Sequence, residues 1–222
     1  MRAVQAIIAR DLRLAFRAGG GAPQAVAFFA VIGVLFALAV GPDLSLISKI
    51  AAPVIWTGAL LATQISLDQI YRADREDGSL DVIIATSDEL MVTAAAKAVA
   101  HWLSTGLPLI IATPVLAILL NLDRDAYVPL LLSLLIGTPG LSLIGSFAAA
   151  LAVALPRASL LISIIVSPLY IPILIFGAGA AAAGAAGDPQ YGANLSLLGA
   201  ATLFAAAFAP IASAAALRSN QD

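Results

Sequence analysis

The chain has 222 residues, of which 61% are hydrophobic and only 11% are charged, and its mean hydropathy is +1.02. Soluble globular domains of ordinary composition do not reach such values, so the composition predicts an integral membrane protein. The net charge of −2 and the dispersed basic residues argue against nucleic acid as a partner, and the lack of cysteine excludes disulfides and cysteine-ligated metal.

Long intervals without Asp, Glu, Lys or Arg divide the chain. Each can supply the ~20 apolar residues that cross a hydrocarbon core as a helix. Their apolar runs do not alternate with polar residues, as the strands of a barrel would. We therefore predict an all-α integral membrane protein whose six transmembrane helices form a single domain, 1–222. The predicted spans are about 23–41, 46–67, 94–121, 127–155, 159–183 and 195–217.

Residues 1–18 predict an N-terminal amphipathic helix that lies in the membrane interface. Apolar residues recur there at helical spacing, while Arg10, Arg13 and Arg17 occupy another face. The apolar stretch after Arg17 is too long for the core of a cleaved signal peptide.

Prolines and glycines interrupt the third and fourth spans. Pro108 and Pro114 predict kinks in the third span, because proline removes a backbone donor. The sequence Gly-Thr-Pro-Gly at 137–140 predicts an interruption of the fourth, and 156–157 predicts the turn that follows it.

The fifth span carries two prolines four residues apart. Pro168 and Pro172 remove two helix donors, so we expect the helix to bend or open there, and the pair is a candidate hinge. The stretch 177–187, almost all glycine and alanine, fits either a closely packed helix or a re-entrant hairpin. No span contains a carboxylate or an arginine, which argues against proton-driven or ion-driven transport.

Basic residues are distributed unevenly over a six-span topology. If both termini lie on the side of the polar interval 68–97, that side holds nine Lys and Arg residues and the other side holds two. Because membrane proteins keep an excess of Lys and Arg in the cytoplasm, we predict that both termini are cytoplasmic. The nine are Arg2, Arg10, Arg13, Arg17, Arg72, Arg75, Lys97, Arg157 and Arg218, and the two are Lys49 and Arg124.

The interval 68–97 carries ten of the charged side chains, so we expect it to lie in water. Its first part, 68–93, is the predicted cytoplasmic coupling region. Apolar residues spaced along one helical face predict a short surface helix at 76–85. Thr86-x-x-Glu89 has the spacing of a capping box, which predicts that the next helix begins there. A plain solvated loop is the alternative.

Five motifs occur in order over most of the chain: Tyr71-x-x-Asp74-x-x-Asp77-Gly78-Ser79-Leu80, Lys97-x-x-x-His101-Trp102-Leu103, Thr105-Gly106-Leu107-Pro108-Leu109, Gly137-Thr138-Pro139-Gly140-Leu141 and Pro168-Leu169-Tyr170-Ile171-Pro172-Ile173-Leu174-Ile175-Phe176-Gly177. Together they resemble the CcmB family, the haem exporter B subunit of the cytochrome c maturation ABC transporter. Tyr71 stands where this family commonly has Phe, and Val82 where Gln is frequent.

The resemblance implies a permease of the ABC-2 exporter type in the bacterial inner membrane, with a coupling helix between spans two and three. It implies a CcmA-type ATPase subunit, the membrane subunits CcmC and CcmD, the haem chaperone CcmE and a second copy of this chain as partners. The chain has no G-x-x-x-x-G-K-[ST] motif, so we expect ATP to be hydrolysed by the partner and this chain not to be an enzyme. The ATPase-docking role carries over to Tyr71, Asp74, Asp77, Gly78, Ser79 and Leu80.

His101, the single histidine, and Trp102 are candidate haem contacts, because imidazole is a common axial ligand of haem iron. Their position also suits helix anchoring or hydrogen bonding between helices, and in the resembled family haem ligation is attributed to other subunits. We expect no cofactor bound directly by this chain, and haem as the candidate substrate. An ABC-2 exporter of another amphipathic substrate and a non-transporting scaffold for the ATPase stay open as alternatives.

Overall fold

The computed structural model describes residues 2–17, 21–86, 89–155 and 158–219. Within these ranges the chain forms helices joined by turns, without a strand, and a π-helical turn, Trp102–Gly106, joins two of the helices. The helices are α1 (Arg2–Ala15), α2 (Gly21–Val40), α3 (Leu44–Ser66), α4 (Gln69–Glu76), α5 (Ser79–Thr86), α6 (Leu90–His101), α7 (Leu107–Leu119), α8 (Arg124–Ala152), α9 (Ala158–Ala185) and α10 (Gln190–Ser219).

Six stretches of the described chain are long and apolar enough to cross a membrane. The prediction of an all-α integral membrane protein is therefore confirmed, and the chain is a multi-pass membrane protein. The location of α1 in the membrane interface and the single-domain division stay predictions. The six stretches are Gly21–Val40, Leu44–Glu76, Leu90–Leu119, Arg124–Ala152, Ala158–Ala185 and Gln190–Ser219.

The prolines do not interrupt the long helices. Helix α8 runs through Pro139, and α9 runs through Pro168 and Pro172, so the predicted interruption at 137–140 and the predicted opening of the fifth span are wrong. A hydroxyl residue directly before a proline donates to the carbonyl four residues earlier in three places, which closes the turn that the proline weakens. These bonds are Thr113 to Leu109 at 2.9 Å, Thr138 to Leu134 at 2.8 Å and Ser167 to Ser163 at 2.6 Å.

The glycine- and alanine-rich stretch is helical as far as Ala185, which excludes the re-entrant hairpin. Gly187, with a φ of +64°, lies just beyond the end of α9. Within the helix, Gly177 lies against the indole ring of Trp56, which is fully buried and donates to the hydroxyl of Ser133 at 2.9 Å. Small residues on α9 thus let α3, α8 and α9 approach one another closely.

The third spanning stretch begins earlier than predicted and is not uniformly α-helical. Helix α6 begins at Leu90, after Glu89, while Thr86 ends α5, so the capping box does not form the predicted helix start. Leu90 is 1% exposed, so packing of this side chain fixes the start of the helix. The π-helical turn directly precedes Leu107-Pro108, and Pro108 has no N–H for the carbonyl of Ser104. Residues 87–88 and the predicted turn at 156–157 lie outside the described residues.

Helices α1, α4, α5 and the beginning of α6 meet at one end of the bundle, which we call the α1 end. The hydroxyls of Tyr71 and Ser146 lie 3.0 Å apart, and Ser159 donates to Asp68 at 3.1 Å, so the end of α8 and the beginning of α9 lie there too. At the opposite end, the Asn121 side chain donates to the carbonyl of Leu44 at 3.4 Å. Consecutive spans therefore run antiparallel, and the α1 end gathers the polar interval.

The close approach of α9 to Trp56 predicts opposite effects for two Gly→Ala substitutions. In Gly177→Ala the new methyl group overlaps the indole ring, and we expect a loss of about 1–3 kcal/mol in the free energy of unfolding. In Gly192→Ala, where nothing lies within 4 Å of the added carbon, we expect a gain of about 0.5–1 kcal/mol. Thermal unfolding in detergent measures both, and equal effects of the two substitutions would contradict close packing at Gly177.

Candidate functional site

Four charged side chains from three helices form a cluster at the α1 end. Arg10 of α1 contacts both Asp11, at 2.9 Å, and Asp74 of α4, at 2.5 Å. Lys97 of α6 contacts Asp11, at 2.9 Å, and also Asp74. The side chains of Asp74 and Lys97 are each only 2% exposed, whereas that of Arg10 is 41% exposed, so the Asp74–Lys97 side of the cluster is closed to water. We call Arg10, Asp11, Asp74 and Lys97 the charge cluster.

The local sequence explains why two of these carboxylates point into the protein. Asp74 follows Ile70 by four residues and Tyr71 by three, so it lies on the apolar face of α4, which packs against the bundle. Asp11 follows Ile7 and Ile8 at the same spacings. The prediction that the whole interval 68–97 lies in water is therefore wrong, because Asp74 and Lys97 are buried within the protein.

Each member of the charge cluster faces an opposite charge. Burial lowers the pKa of Arg10, but hydrogen bonding to Asp11 and the charges of Asp74 and Asp11 outweigh it and hold that pKa above its usual value. Lys97 also donates to the carbonyl of Ile70 at 3.1 Å and stands 5.5 Å from the centre of the Tyr71 ring. The cluster thus joins α1, α4 and α6.

A tight turn links the charge cluster to the surface. Gly78 has a φ of +75°, which separates α4 from α5 and corrects the predicted single helix at 76–85. The Asp77 carboxylate accepts from the backbone N–H of Ser79 at 2.8 Å, and hydrogen bonding from Ser79 holds the pKa of Asp77 below its usual range. The Ser79 hydroxyl donates to Asp74 at 3.3 Å. We call residues 77–79 the coupling turn.

The predicted docking residues fall into two groups. Tyr71, Asp74 and Leu80 are at most 2% exposed, so their side chains do not reach a partner in this conformation. Asp77 and Gly78 are exposed and Ser79 is half-buried. The docking role itself stays a prediction, and by geometry it is limited to the coupling turn and the exposed side chains of α5.

His101 and Trp102 lie inside hydrogen-bond networks. Nε2 of His101 lies 2.9 Å from the Ser66 hydroxyl, and Nδ1 lies 3.0 Å from the Ser142 hydroxyl, so both ring nitrogens are engaged. The indole N–H of Trp102 donates to Thr138 at 3.0 Å. Both side chains connect α6 and its π-helical turn to neighbouring helices, and neither contact leaves a ring nitrogen directed at open space. Their contact with haem stays untested.

A cavity of about 680 Å³ lies beside the charge cluster, between α1, α4 and α6. Its wall combines charged side chains, small apolar residues and a polar patch next to the π-helical turn. The lining includes Arg17, Arg72, Glu76, Leu14, Ala15, Ile70, Ala73, Ser66, His101, Ser104 and Thr105. Sequence reasoning did not find this cavity, because its walls come from three separate parts of the chain.

The candidate hinge lies apart from these features. Pro168 and Pro172 are exposed on α9, while Tyr170 between them is buried and donates to the carbonyl of Leu141 at 2.6 Å. Among the described residues, no group of three or more His, Cys, Asp or Glu side chains could hold a metal ion. The hinge function of the two prolines stays a prediction.

The sequence is similar to known proteins over nearly its whole length. A model of the CcmB protein family matches residues 2–220. This chain belongs to the CcmB family. It is 50% identical over 222 residues to heme exporter protein B of Bradyrhizobium diazoefficiens, covering 100% of both chains. It is 50% identical to heme exporter protein B of Paracoccus denitrificans, over 98% of this chain and 99% of that protein. It is 40% identical to heme exporter protein B of Escherichia coli strain K12, over 94% of each chain.

The motif that contains Asp74 can be tested for its contribution to the stability of the chain as well as for docking. In Asp74→Asn, Lys97 and Arg10 lose a buried counter-ion, and we expect a loss of about 3–5 kcal/mol in the free energy of unfolding. The double variant Asp74→Asn/Lys97→Met keeps the Arg10–Asp11 pair and should lose less than Asp74→Asn alone. Thermal unfolding of the detergent-solubilised protein measures each loss.

Glu76→Gln provides the control for this pair of variants. Glu76 pairs with Arg72 at 2.8 Å, but both side chains are more than 60% exposed, so the change should stay within about 0.5 kcal/mol. If the losses in the free energy of unfolding from Asp74→Asn and Lys97→Met add in the double variant, the Asp74–Lys97 ion pair of the structure is contradicted.

Proposed function

We propose that this member of the CcmB family is the membrane permease subunit of an ABC transporter that serves haem export in c-type cytochrome biogenesis. The observation that carries the proposal is the whole-chain match. The family model covers residues 2–220, and the relatives named heme exporter protein B are matched over nearly their full length. Function in such a case is supported along the entire fold rather than by one motif.

Energy for transport comes from a separate subunit in this proposal. The sequence has no phosphate-binding loop of the G-x-x-x-x-G-K-[ST] type, so we assign ATP hydrolysis to a CcmA-type partner. The partner docks on the coupling turn and on α5, where Val82 is a large apolar side chain that is 60% exposed. An exposed acidic turn next to an exposed apolar side chain suits a groove on a soluble protein.

The coupling turn is joined to two helices through a single side chain. Ser79 donates to Asp74, and Asp74 contacts Arg10 of α1 and Lys97 of α6. A displacement of the turn by the ATPase would therefore act on α1 and α6 together, because buried ion pairs resist separation more strongly than exposed ones do. Asp74 serves in this proposal as the connection between the docking surface and the spans.

The α1 end faces the cytoplasm of the bacterial inner membrane in this proposal. The support is the distribution of basic residues, since nine of the eleven Lys and Arg residues fall on the side that a six-span topology assigns to both termini. We infer that the chain assembles with a second copy of itself, with CcmC and CcmD, and with the chaperone CcmE, because family membership implies a Ccm haem-exporter complex.

The coupling role predicts that replacing the exposed turn uncouples the complex without unfolding the chain. We expect Asp77→Ala/Gly78→Ala to lower both the ATPase that co-purifies with the chain and the yield of c-type cytochromes severalfold. In this variant the backbone N–H of Ser79 loses its bond to the Asp77 carboxylate. A β-carbon at the positive φ of Gly78 costs about 1–2 kcal/mol of conformational free energy. Affinity purification from membranes and haem staining of c-type cytochromes measure the two quantities.

A second turn supplies a matched control. Gly187 also has a positive φ with nothing within 4 Å, and Asp188 accepts from the backbone N–H of Gln190 at 2.8 Å, the distance found in the coupling turn. Gly187→Ala/Asp188→Ala therefore imposes the same local change between α9 and α10. Equal losses in the two double variants would show a general folding defect, and unchanged ATPase recovery and cytochrome yield in Asp77→Ala/Gly78→Ala would refute the docking role.

A further inference from the structure

The lining of the cavity beside the charge cluster combines exposed cations with apolar and buried polar side chains. Arg17, just after α1, and Arg72 of α4 are exposed cations on its lining. Leu14 and Ala15 of α1 and Ile70 and Ala73 of α4 also line it. Its volume of about 680 Å³ falls within the range of about 300–1,000 Å³ that is typical of pockets for small ligands.

The cations of the lining differ in how fully they are neutralised. Arg10 and Lys97 are held by Asp11 and Asp74 within the charge cluster. Arg17 forms no ion pair with any residue that the structure describes.

Arg72 is the second cation available to a ligand. It pairs with Glu76 at 2.8 Å and with Asp68 at 3.7 Å, but its side chain is 62% exposed, so exchanging these partners for an acidic ligand costs little. Two exposed arginines on the lining of one cavity can therefore receive two acidic groups, and guanidinium groups bind carboxylates with paired hydrogen bonds.

We propose that this cavity binds a porphyrin dicarboxylate, with the carboxylates at Arg17 and Arg72 and the macrocycle between the apolar residues of α1 and α4. The inference rests on the proposed function, which makes a haem-type molecule the substrate. A phospholipid fits less well, because its acyl chains need a continuous apolar path. The inner wall instead presents the polar side chains of Ser66, His101, Ser104 and Thr105.

Recognition in this cavity does not depend on iron. His101 lines the inner wall, but its two ring nitrogens are engaged by Ser66 and Ser142 at 2.9 and 3.0 Å. A bond to iron would break one of these buried contacts. The protein therefore recognises the carboxylates, and a metal-free porphyrin should bind about as tightly as haem.

Fluorescence titration of the full-length chain with metal-free protoporphyrin IX, in nanodiscs of phosphatidylcholine, tests the proposal. We expect Arg17→Gln/Arg72→Gln to weaken binding about tenfold or more, since two charge-assisted contacts are lost. The matched control is Arg13→Gln/Arg75→Gln, which removes the same charge from the neighbouring turns at exposed residues outside the cavity lining. It should change the dissociation constant by less than about threefold.

Two further probes separate the contributions of carboxylates and iron. The dimethyl ester of protoporphyrin should bind weakly and equally to the unaltered chain and to both double variants. Haem should bind within about threefold of the metal-free porphyrin. Equal losses in the two double variants, tight binding of the ester, or much tighter binding of haem with an imidazole-ligated absorption spectrum would each overturn the proposal. So would loss of porphyrin binding when phosphatidylglycerol is added, which would assign the cavity to a lipid headgroup.

Yield of c-type cytochromes in cells separates this proposal from the function on which it rests. If Arg17→Gln/Arg72→Gln leaves the dissociation constant of the porphyrin unchanged while deletion of the chain still abolishes c-type cytochromes, only the cavity proposal fails. If deletion leaves the cytochromes intact, the proposed function fails as well.

Discussion

The contact between Asp74 and the cations of α1 and α6 fixes the α1 end of this protein. A carboxylate that is 2% exposed is stable as an anion only if opposite charges and hydrogen bonds replace its water, and Arg10, Lys97 and Ser79 do so. Because these three partners come from three separate elements, satisfying one anion also sets the relative positions of α1, α5 and α6. The coupling turn and the cavity both border this contact.

Packing among the spans depends instead on close approach of helix backbones and on hydrogen bonds from hydroxyl groups between them. Glycines on α8 and α9 enclose Trp56, and the indole N–H reaches Ser133. Lipid offers apolar contact as readily as protein does, so close backbone approach and buried hydrogen bonds distinguish helix pairing from solvation by lipid. Hydroxyl groups also keep the proline-containing helices continuous, since the hydroxyl before a proline restores a contact within the helix.

Hydropathy was sufficient to predict the fold class, because six long apolar intervals separated by polar segments allow few other structures. It could not predict the charge cluster, since counting charges along an interval ignores which face of a helix they occupy. The three- and four-residue spacing from Ile70 and Tyr71 to Asp74 carried that information, and so did the spacing from Ile7 and Ile8 to Asp11. Proline content misled because the residue before each proline was left out: Thr138 and Ser167 stand directly before Pro139 and Pro168, and their hydroxyls bond to the carbonyl four residues earlier in the same helix. The cavity depends on three distant segments, and no local pattern predicts it.

The π-helical turn at Trp102–Gly106 gives the third span one surplus residue in its helical register. If that surplus moves along the helix by one turn, the residues it passes rotate by roughly 100° about the helix axis while the segments beyond it keep their places. Lys97 and His101 lie just on one side of the turn, and Leu107 begins the segment on the other. Such a shift would change the direction of the polar side chains of α6 at constant length, with α7 held still in the bilayer.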